Sequence, residues 1–258
     1  MRVPRVYRTE AVVLKAFDYG EADRILTLYT PQHGKVRAIA KGVRRIKSRK
    51  AGHLEIFTRT ALLIARGRQL DVVTQADTLE PFRPVRDDLW RIAACTYVAE
   101  LVDGFGMENL TNYPLYALTV QTLRRLAESS SLDLTLRAFE LQLLGLTGYR
   151  PQLHRCLQCN DVIVPAQNRF SSKMGGVLCP SCGISDVGAR AIGIPALKLL
   201  RNLQTNESAV LAVNGLDETV EREVESLLRD YILYRLENRP RSLAFIDRLR
   251  AEAAGARV

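Results

Sequence analysis

Four cysteines in two C-x-x-C pairs place the strongest constraint on how this chain can fold. Cys156 and Cys159 form the first pair, Cys179 and Cys182 form the second, and 19 residues separate the pairs. Two thiolates two residues apart can bind one metal ion from a single tight turn. Two such turns complete a tetrahedron of four sulfurs, the geometry that Zn²⁺ prefers. The spacing is typical of zinc modules, and it predicts one zinc ion bound by these four cysteines.

The predicted metal is structural, because four sulfur ligands leave no coordination position for water. Its binding free energy would stabilise a loop-like segment at 151–190. Disulfides or incidental thiols are the alternatives, and both are disfavoured in a reducing compartment. We interpret His154 as a bystander and Cys95, on the apolar side of a predicted helix, as a small core residue.

The spacing of the apolar residues changes near residue 81, from short runs separated by turn residues to a helical period. Before this point the pattern predicts strands over 9–17, 24–30, 35–41, 55–65 and 70–77. Five short strands in about 75 residues are typical of a small closed barrel of the OB type. An SH3-like barrel is the alternative.

After residue 85 the apolar residues recur at helical spacing. Helices are predicted over 85–105, 114–128, 132–146, 195–203 and 217–238, with a turn and cap at 214–217 and a short last helix after Pro240. The fold class is therefore α+β, with an N-terminal five-stranded OB-type barrel and an α-helical C-terminal domain into which the four-cysteine zinc module is inserted. The predicted bounds are 1–80 for the barrel, 81–150 and 191–258 for the helical domain, and 151–190 for the module. We expect Arg124, Arg125 and Arg137 on solvated helix faces.

Positive charge is concentrated in the first third of the chain. The 258 residues are 47% hydrophobic and 25% charged, which excludes a disordered or fibrous protein. Residues 1–85 hold 17 Lys+Arg against 8 Asp+Glu and the rest hold 20 of each, so the first third carries the whole net charge of +9. One module is thus expected to bind a polyanion. The absence of a long apolar run and of a secretory signal predicts a cytoplasmic protein without a membrane span.

The densest basic segment follows the third predicted strand. Lys35, Arg37 and Lys41 alternate along that strand, and five of the seven residues at 44–50 are basic. A polyanion would relieve the repulsion between these charges, whereas a solvated loop without a partner is the alternative.

Aromatic residues are absent from 31–56. The aromatic residues elsewhere in the barrel segment are Tyr7, Phe17, Tyr19, Tyr29, Phe57 and Phe82, and alternation predicts that several of them lie in the core. We therefore predict contacts to the phosphates of single- and double-stranded DNA, with weak sequence preference and steep salt dependence.

No catalytic motif is found. The chain has no Gly-rich phosphate loop, no H-E-x-x-H, no G-x-S-x-G and no activated Lys-x-Asp-Gly. His33, His53 and His154 lie in predicted turns or loops without an obvious carboxylate partner. We expect a protein that is not an enzyme. The alternatives are a zinc-ribbon enzyme that modifies nucleic acids and a protein adaptor with incidental DNA affinity.

Several segments resemble, in order, the RecO family of bacterial recombination mediators. They are RTEAVVLK at 8–15, YGEADRILTLYT at 19–30, GKVRAIAKGVRR at 34–45, FELQLLGLTGY at 139–149 before Pro151, and RSL at 241–243. The resemblance implies an OB domain, a helical domain and, in many members, a four-cysteine zinc module. It also implies a non-catalytic mediator of the RecF pathway in DNA repair and recombination. Such a protein binds single- and double-stranded DNA, anneals complementary strands and helps to load RecA onto DNA coated by single-strand-binding protein.

The resemblance also implies partners and contact residues. The partners are RecR and the C-terminal tail of single-strand-binding protein, with RecA indirectly, in the cytoplasm at the nucleoid. A pocket for the tail is expected among the helices of 85–150 and 193–250. Carried over by position, the DNA-contact candidates are Arg24, Lys35, Arg37, Lys41, Arg44, Arg45, Lys47, Arg49 and Lys50.

Overall fold

The computed structural model describes residues 5–205, 217–236 and 238–255. The chain forms two compact units, one from residues up to 129 together with those from 240 onward, and one from residues 130–239. None of the helices in these ranges is long and apolar enough to cross a membrane.

The first unit contains a closed five-stranded barrel. Its strands are β1 (Val6–Tyr19), β2 (Asp23–Thr30), β3 (Gly34–Ala40), β4 (Arg59–Ala65) and β5 (Asp71–Glu80). They follow the order β1-β2-β3-β5-β4, and β4 pairs with β1 to close the barrel. Only the β3–β5 pair is parallel among these strands. The predicted five-stranded OB-type barrel is confirmed.

Alternation along the strands separates the barrel core from its outer surface. The core holds small and aliphatic side chains that include Leu26, Leu28 and Ile64, each fully buried. Burial of each of these three side chains contributes about 1.5–3 kcal/mol to stability. Along β3, buried Val36 and Ala38 flank the exposed Arg37. The same strand therefore contributes to the core on one side and presents charge on the other.

The fourth strand begins at Arg59, so the predicted start at residue 55 is wrong. Phe57 adopts a left-handed conformation with φ of 66°, which a strand does not accommodate. Its N–H donates to the carbonyl of Val13 (2.8 Å), and the N–H of Val13 donates to the carbonyl of Thr58 (3.1 Å). The register of β1 shifts between Val13 and Lys15 beside these contacts.

The described residues form seven α-helices, which are α1 (Leu89–Phe105), α2 (Tyr113–Glu128), α3 (Leu132–Leu146), α4 (Pro180–Gly183), α5 (Ile194–Thr205), α6 (Glu218–Arg235) and α7 (Ser242–Gly255). The observed bounds of α3 are the same as the bounds predicted from the sequence. Helix α1 begins four residues later than predicted, because a 3₁₀ turn occupies Arg83–Asp87. Asp88 then caps α1, since its carboxylate accepts from the N–H groups of Trp90 and Arg91. Helix α6 ends before the predicted residue 238, and the predicted turn at 214–216 lies outside the described residues.

Helix α1 packs against β1, β2, α2 and α7 within the first unit. The N–H and the hydroxyl of Ser242, at the start of α7, donate to one carboxylate oxygen of Glu100 (3.0 and 2.6 Å). Glu80, at the end of β5, accepts two hydrogen bonds from Arg124 on α2 (2.6 and 2.8 Å). Arg59 adds a third contact to Glu80 at 3.4 Å. The first link therefore joins α7 to α1, and the Glu80 contact with Arg124 joins α2 to the barrel.

In the second unit, α3, α5 and α6 pack on one another beside a small sheet. The sheet strands β6 (Arg169–Ser171), β7 (Gly176–Leu178) and β8 (Arg190–Ala191) lie in the order β7-β6-β8. The segment predicted as loop-like therefore contains short strands. Gly176 is required in β7, because a Cβ there would lie 2.3 Å from the Gln152 carbonyl oxygen. The helices of the single predicted helical domain are divided between the two units.

One expected solvated arginine is buried. The Arg137 side chain is 7% exposed and pairs with the fully buried Glu140 at 3.0 Å. The expectation of a solvated face is wrong at this position, because it rested on residue type alone. Arg124 remains half exposed, although Glu80 binds it.

Candidate nucleic-acid interface and metal centre

The basic loop, residues 41–50, leaves the barrel at the end of β3. Backbone contacts to the β1–β2 hairpin fix its base. The N–H of Gly42 donates to Asp23 Oδ1 (2.7 Å), and the N–H of Arg44 donates to the carbonyl of Ala22 (2.9 Å). Gly42 has a positive φ of 66°, the conformation that glycine adopts without strain. The loop is therefore held beside the hairpin.

Six of the nine predicted DNA contacts are exposed on β3 and the basic loop, namely Arg37, Lys41, Arg44, Arg45, Lys47 and Arg49. Arg44 pairs with Asp18 at 3.3 Å. The other five have no carboxylate within 4.0 Å among the residues that the structure describes. Uncompensated charge of one sign on a small surface produces a strong local positive potential.

Lys35 points toward α1. Its Nζ donates to the Asp103 carbonyl at 2.7 Å and lies 3.3 Å from the Asp103 carboxylate, and its side chain is only 16% exposed. Lys15 approaches the same carboxylate at 2.6 Å. Burial works against the charged form of Asp103, but the hydrogen bonds and charges of the two lysines hold its pKa below the usual range. Lys35 thus fastens β3 to α1.

Lys50 and Arg24 also have partners in the protein. Lys50 Nζ donates to the carbonyls of Lys41 (3.2 Å) and Val73 (3.0 Å), and burial lowers its pKa. Arg24 Nε donates to Asp18 Oδ1 (2.9 Å), and this hydrogen bond holds the pKa of Asp18 below its usual range. Lys50 therefore links the end of the basic loop to its start and to β5. Arg24 lies at the edge of the loop with a half-exposed side chain.

The barrel aromatics differ in burial, and Tyr7 is half-buried against the core. Tyr29, Phe57 and Phe82 are buried, as the alternation predicted for several of them. Phe17 and Tyr19, near the end of β1, are 59% and 56% exposed. This exposed pair was not predicted as part of a site. Their spacing of two residues was the available signal, because a strand places both rings on one face. The predicted strand ended at residue 17, however, and only the longer observed β1 includes Tyr19.

The four cysteines of the second unit lie together. All four sulfurs are within 4.8 Å of one another. Sγ of Cys159 and Sγ of Cys179 are 3.8 Å apart. A tetrahedral site with Zn–S bonds of about 2.3 Å has sulfur–sulfur edges of about 3.8 Å. The cluster could bind a metal ion, and its size fits zinc.

Two similar turns present the sulfurs. The N–H of Asn160 donates to the carbonyl of Cys156 (2.9 Å), and the N–H of Gly183 donates to the carbonyl of Cys179 (2.8 Å). Each cysteine pair is thus closed by one backbone hydrogen bond. Asn160 has φ of 64°, a left-handed conformation that asparagine tolerates better than most residues. The two turns face each other across the sulfur cluster.

Backbone amides favour a thiolate at Cys156. Burial opposes this, but N–H groups of Cys159, Cys179 and Gln158 lower the pKa of the Cys156 thiol to about 6. The Cys159 thiol donates to Asp161 Oδ2 at 3.3 Å. Cys95 lies outside the cluster. It is fully buried on α1, where burial raises its pKa to about 12, as expected of a core residue.

Two of the histidines make structural contacts. His53 Nδ1 accepts from the N–H of Thr78 at 3.1 Å and lies 2.8 Å from the Thr78 hydroxyl oxygen. The ring of His33 packs edge-on against Tyr7 at 4.6 Å between centroids. Both imidazoles therefore take part in packing of the barrel unit.

A five-stranded OB-type barrel with an exposed basic loop has the features of a nucleic-acid-binding protein. The family model "Recombination protein O N terminal" matches residues 1–82, and "Recombination protein O C terminal" matches residues 86–244. The DNA repair protein RecO of Roseiflexus sp. (strain RS-1) is 46% identical over 246 residues, which cover 95% of this chain and 87% of the relative. RecO of Desulforudis audaxviator is 42% identical over 244 residues, 94% of this chain and 97% of the relative. RecO of Dehalococcoides mccartyi (strain ATCC BAA-2266) is 34% identical over 249 residues, which cover 96% of this chain and 98% of the relative.

The chain belongs to the RecO family, which confirms the resemblance seen in the sequence.

Proposed function

We propose that this chain is a non-catalytic recombination mediator of the RecF pathway. It binds single- and double-stranded DNA, anneals complementary strands and helps to load RecA onto DNA coated by single-strand-binding protein. RecR and the C-terminal tail of single-strand-binding protein are its protein partners. The observation that carries the proposal is a cluster of six exposed cations on the barrel of a RecO-family chain, five of which have no carboxylate partner among the described residues.

The proposed DNA contacts are the exposed cations Arg37, Lys41, Arg44, Arg45, Lys47 and Arg49, with Arg24 at the edge. Lys35 and Lys50 act indirectly, because their ammonium groups hold β3 and the basic loop in place. Phosphates that bind the exposed cations release condensed counterions, and this release drives association at low salt. Such contacts carry little sequence information.

Strand annealing follows from the same chemistry. Two complementary strands repel each other through their phosphates, and a cationic surface lowers that repulsion. Contacts to phosphates leave the pairing edges of the bases free. A basic loop that binds backbones can therefore bring two strands together without blocking the base pairs that they form.

We further propose that Cys156, Cys159, Cys179 and Cys182 hold one structural Zn²⁺. The sulfur spacing and the amides directed at Cys156 support this assignment. When bound, the metal supplies a cross-link between the two cysteine turns, and its binding free energy stabilises the fold. The Cys159–Asp161 hydrogen bond would give way, because a ligating thiolate has no proton to donate.

An annealing assay on the purified full-length protein tests the proposal. Two complementary oligonucleotides, one with a fluorophore and one with a quencher, should pair faster with the protein than without it. Strand cleavage or nucleotide hydrolysis by the same preparation would instead support the nucleic-acid-modifying enzyme. Absence of annealing together with weak, salt-insensitive DNA binding would support the adaptor.

A further inference from the structure

The outer face of β1, β2 and β3 combines exposed rings with the cations described above. Phe17 lies opposite Ile25, and Ile25 lies opposite Ile39. Tyr19 follows on the same face of β1, opposite Asp23. Directly opposite residues in neighbouring strands project to the same side of a sheet.

This side is the outside of the barrel. Along each strand, the residues next to Phe17, Ile25 and Ile39 point the opposite way, into the core. These residues are Ala16, Leu26, Ala38 and Ala40. Ile25 and Ile39 are half-buried, whereas Phe17 and Tyr19 are more than half exposed. The outer face therefore has an apolar floor with two rings at one end.

Cations of β3 lie on the same face as this aromatic pair. Arg37 and Lys41 project from β3 on the same face, two strands from the rings, which corresponds to about 10 Å across the sheet. The basic loop starts beside the hairpin, where Arg44 Nη1 lies 3.4 Å from the carbonyl oxygen of Gly20, the residue after Tyr19. The Arg44 guanidinium pairs with Asp18, which alternates with the two rings and points to the other face of β1. The carboxylate of Asp23 is bound by the Gly42 N–H.

We propose that Phe17 and Tyr19 form a base-stacking platform for single-stranded DNA, whose phosphates the neighbouring cations bind. This inference rests on the proposed DNA-binding function and adds a second mode of contact to it. The two rings, two residues apart on a strand, are separated by about 6.7 Å along β1. Every base has a π-face, so stacking accepts any sequence, and it leaves the pairing edges of the bases free for a complementary strand.

Stacking on the protein distinguishes the binding of single-stranded DNA from that of double-stranded DNA. Bases in a duplex are already stacked on one another and do not offer their faces to the protein. Phosphate contacts are available in both forms. The rings should therefore contribute to single-strand affinity alone, whereas the cations contribute to both affinities.

The test measures binding of labelled single-stranded and duplex oligonucleotides to the full-length protein by fluorescence anisotropy. Phe17→Ala or Tyr19→Ala should weaken single-strand binding by roughly 5- to 150-fold, the fold-change equivalent to loss of one stacked base. Duplex affinity should change less than about twofold. Tyr19→Phe keeps the ring and should retain wild-type affinity. Tyr113→Ala removes a ring of similar exposure at the start of α2 and serves as the matched control.

A spectroscopic variant tests the stacking directly. The chain contains one tryptophan, Trp90. Phe17→Trp should therefore add a fluorescence signal that single-stranded DNA quenches and duplex DNA does not, after subtraction of the wild-type signal.

Two outcomes would overturn the platform: unchanged single-strand affinity in the two alanine variants, or equal losses for both forms of DNA. In each case, loss of both DNA affinities on removal of Arg45, Lys47 and Arg49 would still support the phosphate site. The two proposals can thus fail separately.

Discussion

Simultaneous replacement of Arg45, Lys47 and Arg49 by alanine should remove three phosphate contacts from the basic loop. All three side chains are exposed, and no carboxylate within the described ranges lies close enough to pair with them. Their charge is therefore available to DNA, and their loss should leave the barrel core intact.

The expected size of the effect follows from counterion release. Each phosphate contact contributes about 0.7 to the slope of log K against log salt for single strands, and about 0.9 for duplexes. Loss of three contacts should reduce the magnitude of this slope by about 2 for single strands and by about 3 for duplexes. At about 0.1 M salt the single-strand affinity should fall roughly 100-fold, and at about 0.2 M roughly 30-fold.

The measurement is a salt titration of binding by fluorescence anisotropy with the full-length protein. The control variant replaces Arg150, Lys173 and Lys198, three exposed cations of the second unit, by alanine. It makes the same change in net charge at other positions. Thermal unfolding of both variants should be close to that of the wild-type protein, because none of the six side chains is buried.

Two results would refute the reasoning. An unchanged salt slope in the loop variant would show that these cations do not contact phosphates. An equal reduction in the control variant would show that net charge, or a second surface, governs binding.

Three further predictions concern the zinc site and the fold. Cys156→Ser should reduce bound zinc, measured by metal analysis, well below one per chain, and should lower the Tm by about 10 °C or more, whereas Cys95→Ala should keep the metal. Asp103→Asn should cost about 1–2 kcal/mol at neutral pH. Because the lowered pKa of Asp103 gives stability that is present above about pH 4 and lost in more acidic solution, urea unfolding of this variant should depend less on pH between 5 and 3 than that of the wild type. Glu80→Gln, which weakens the contact of β5 with Arg124, should cost about 1–2 kcal/mol by the same measurement; no change would show that this link is dispensable.

Local sequence signals predicted much of the fold because the signals themselves are local. Alternation located the barrel strands, and the helical period with Ser131 and Gly148 at its ends located α3. The start of α1 was misplaced, because the helical spacing of apolar residues was taken to begin at Val85, whereas a 3₁₀ turn occupies Arg83–Asp87 and Asp88 caps the helix. The strands of the second unit are two or three residues long. Such strands are too short to show a recognisable alternation of apolar and polar residues.

Residues that act through tertiary contacts were beyond the reach of the sequence. Lys35 and Arg37 lie on the same face of β3 and look alike in sequence. The ammonium of Lys35 nevertheless binds Asp103, which is 68 positions away. Arg137 has the composition of a solvated helix face, and only packing of the second unit shows that it is buried. The cysteine cluster was predictable, because metal ligands obey short spacing rules.

The first unit is discontinuous in sequence, and this affects the order in which it can be completed. Helix α7, which packs on α1, is separated from α2 by the second unit, about 110 residues. At a synthesis rate of about 5–20 residues per second, roughly 5 to 20 seconds pass between the emergence of α2 and that of α7. During this interval the face of α1 that packs against α7 stays uncovered, so we expect chaperones to bind the nascent barrel unit. Proteolysis and misassociation of the newly made chain should concentrate there.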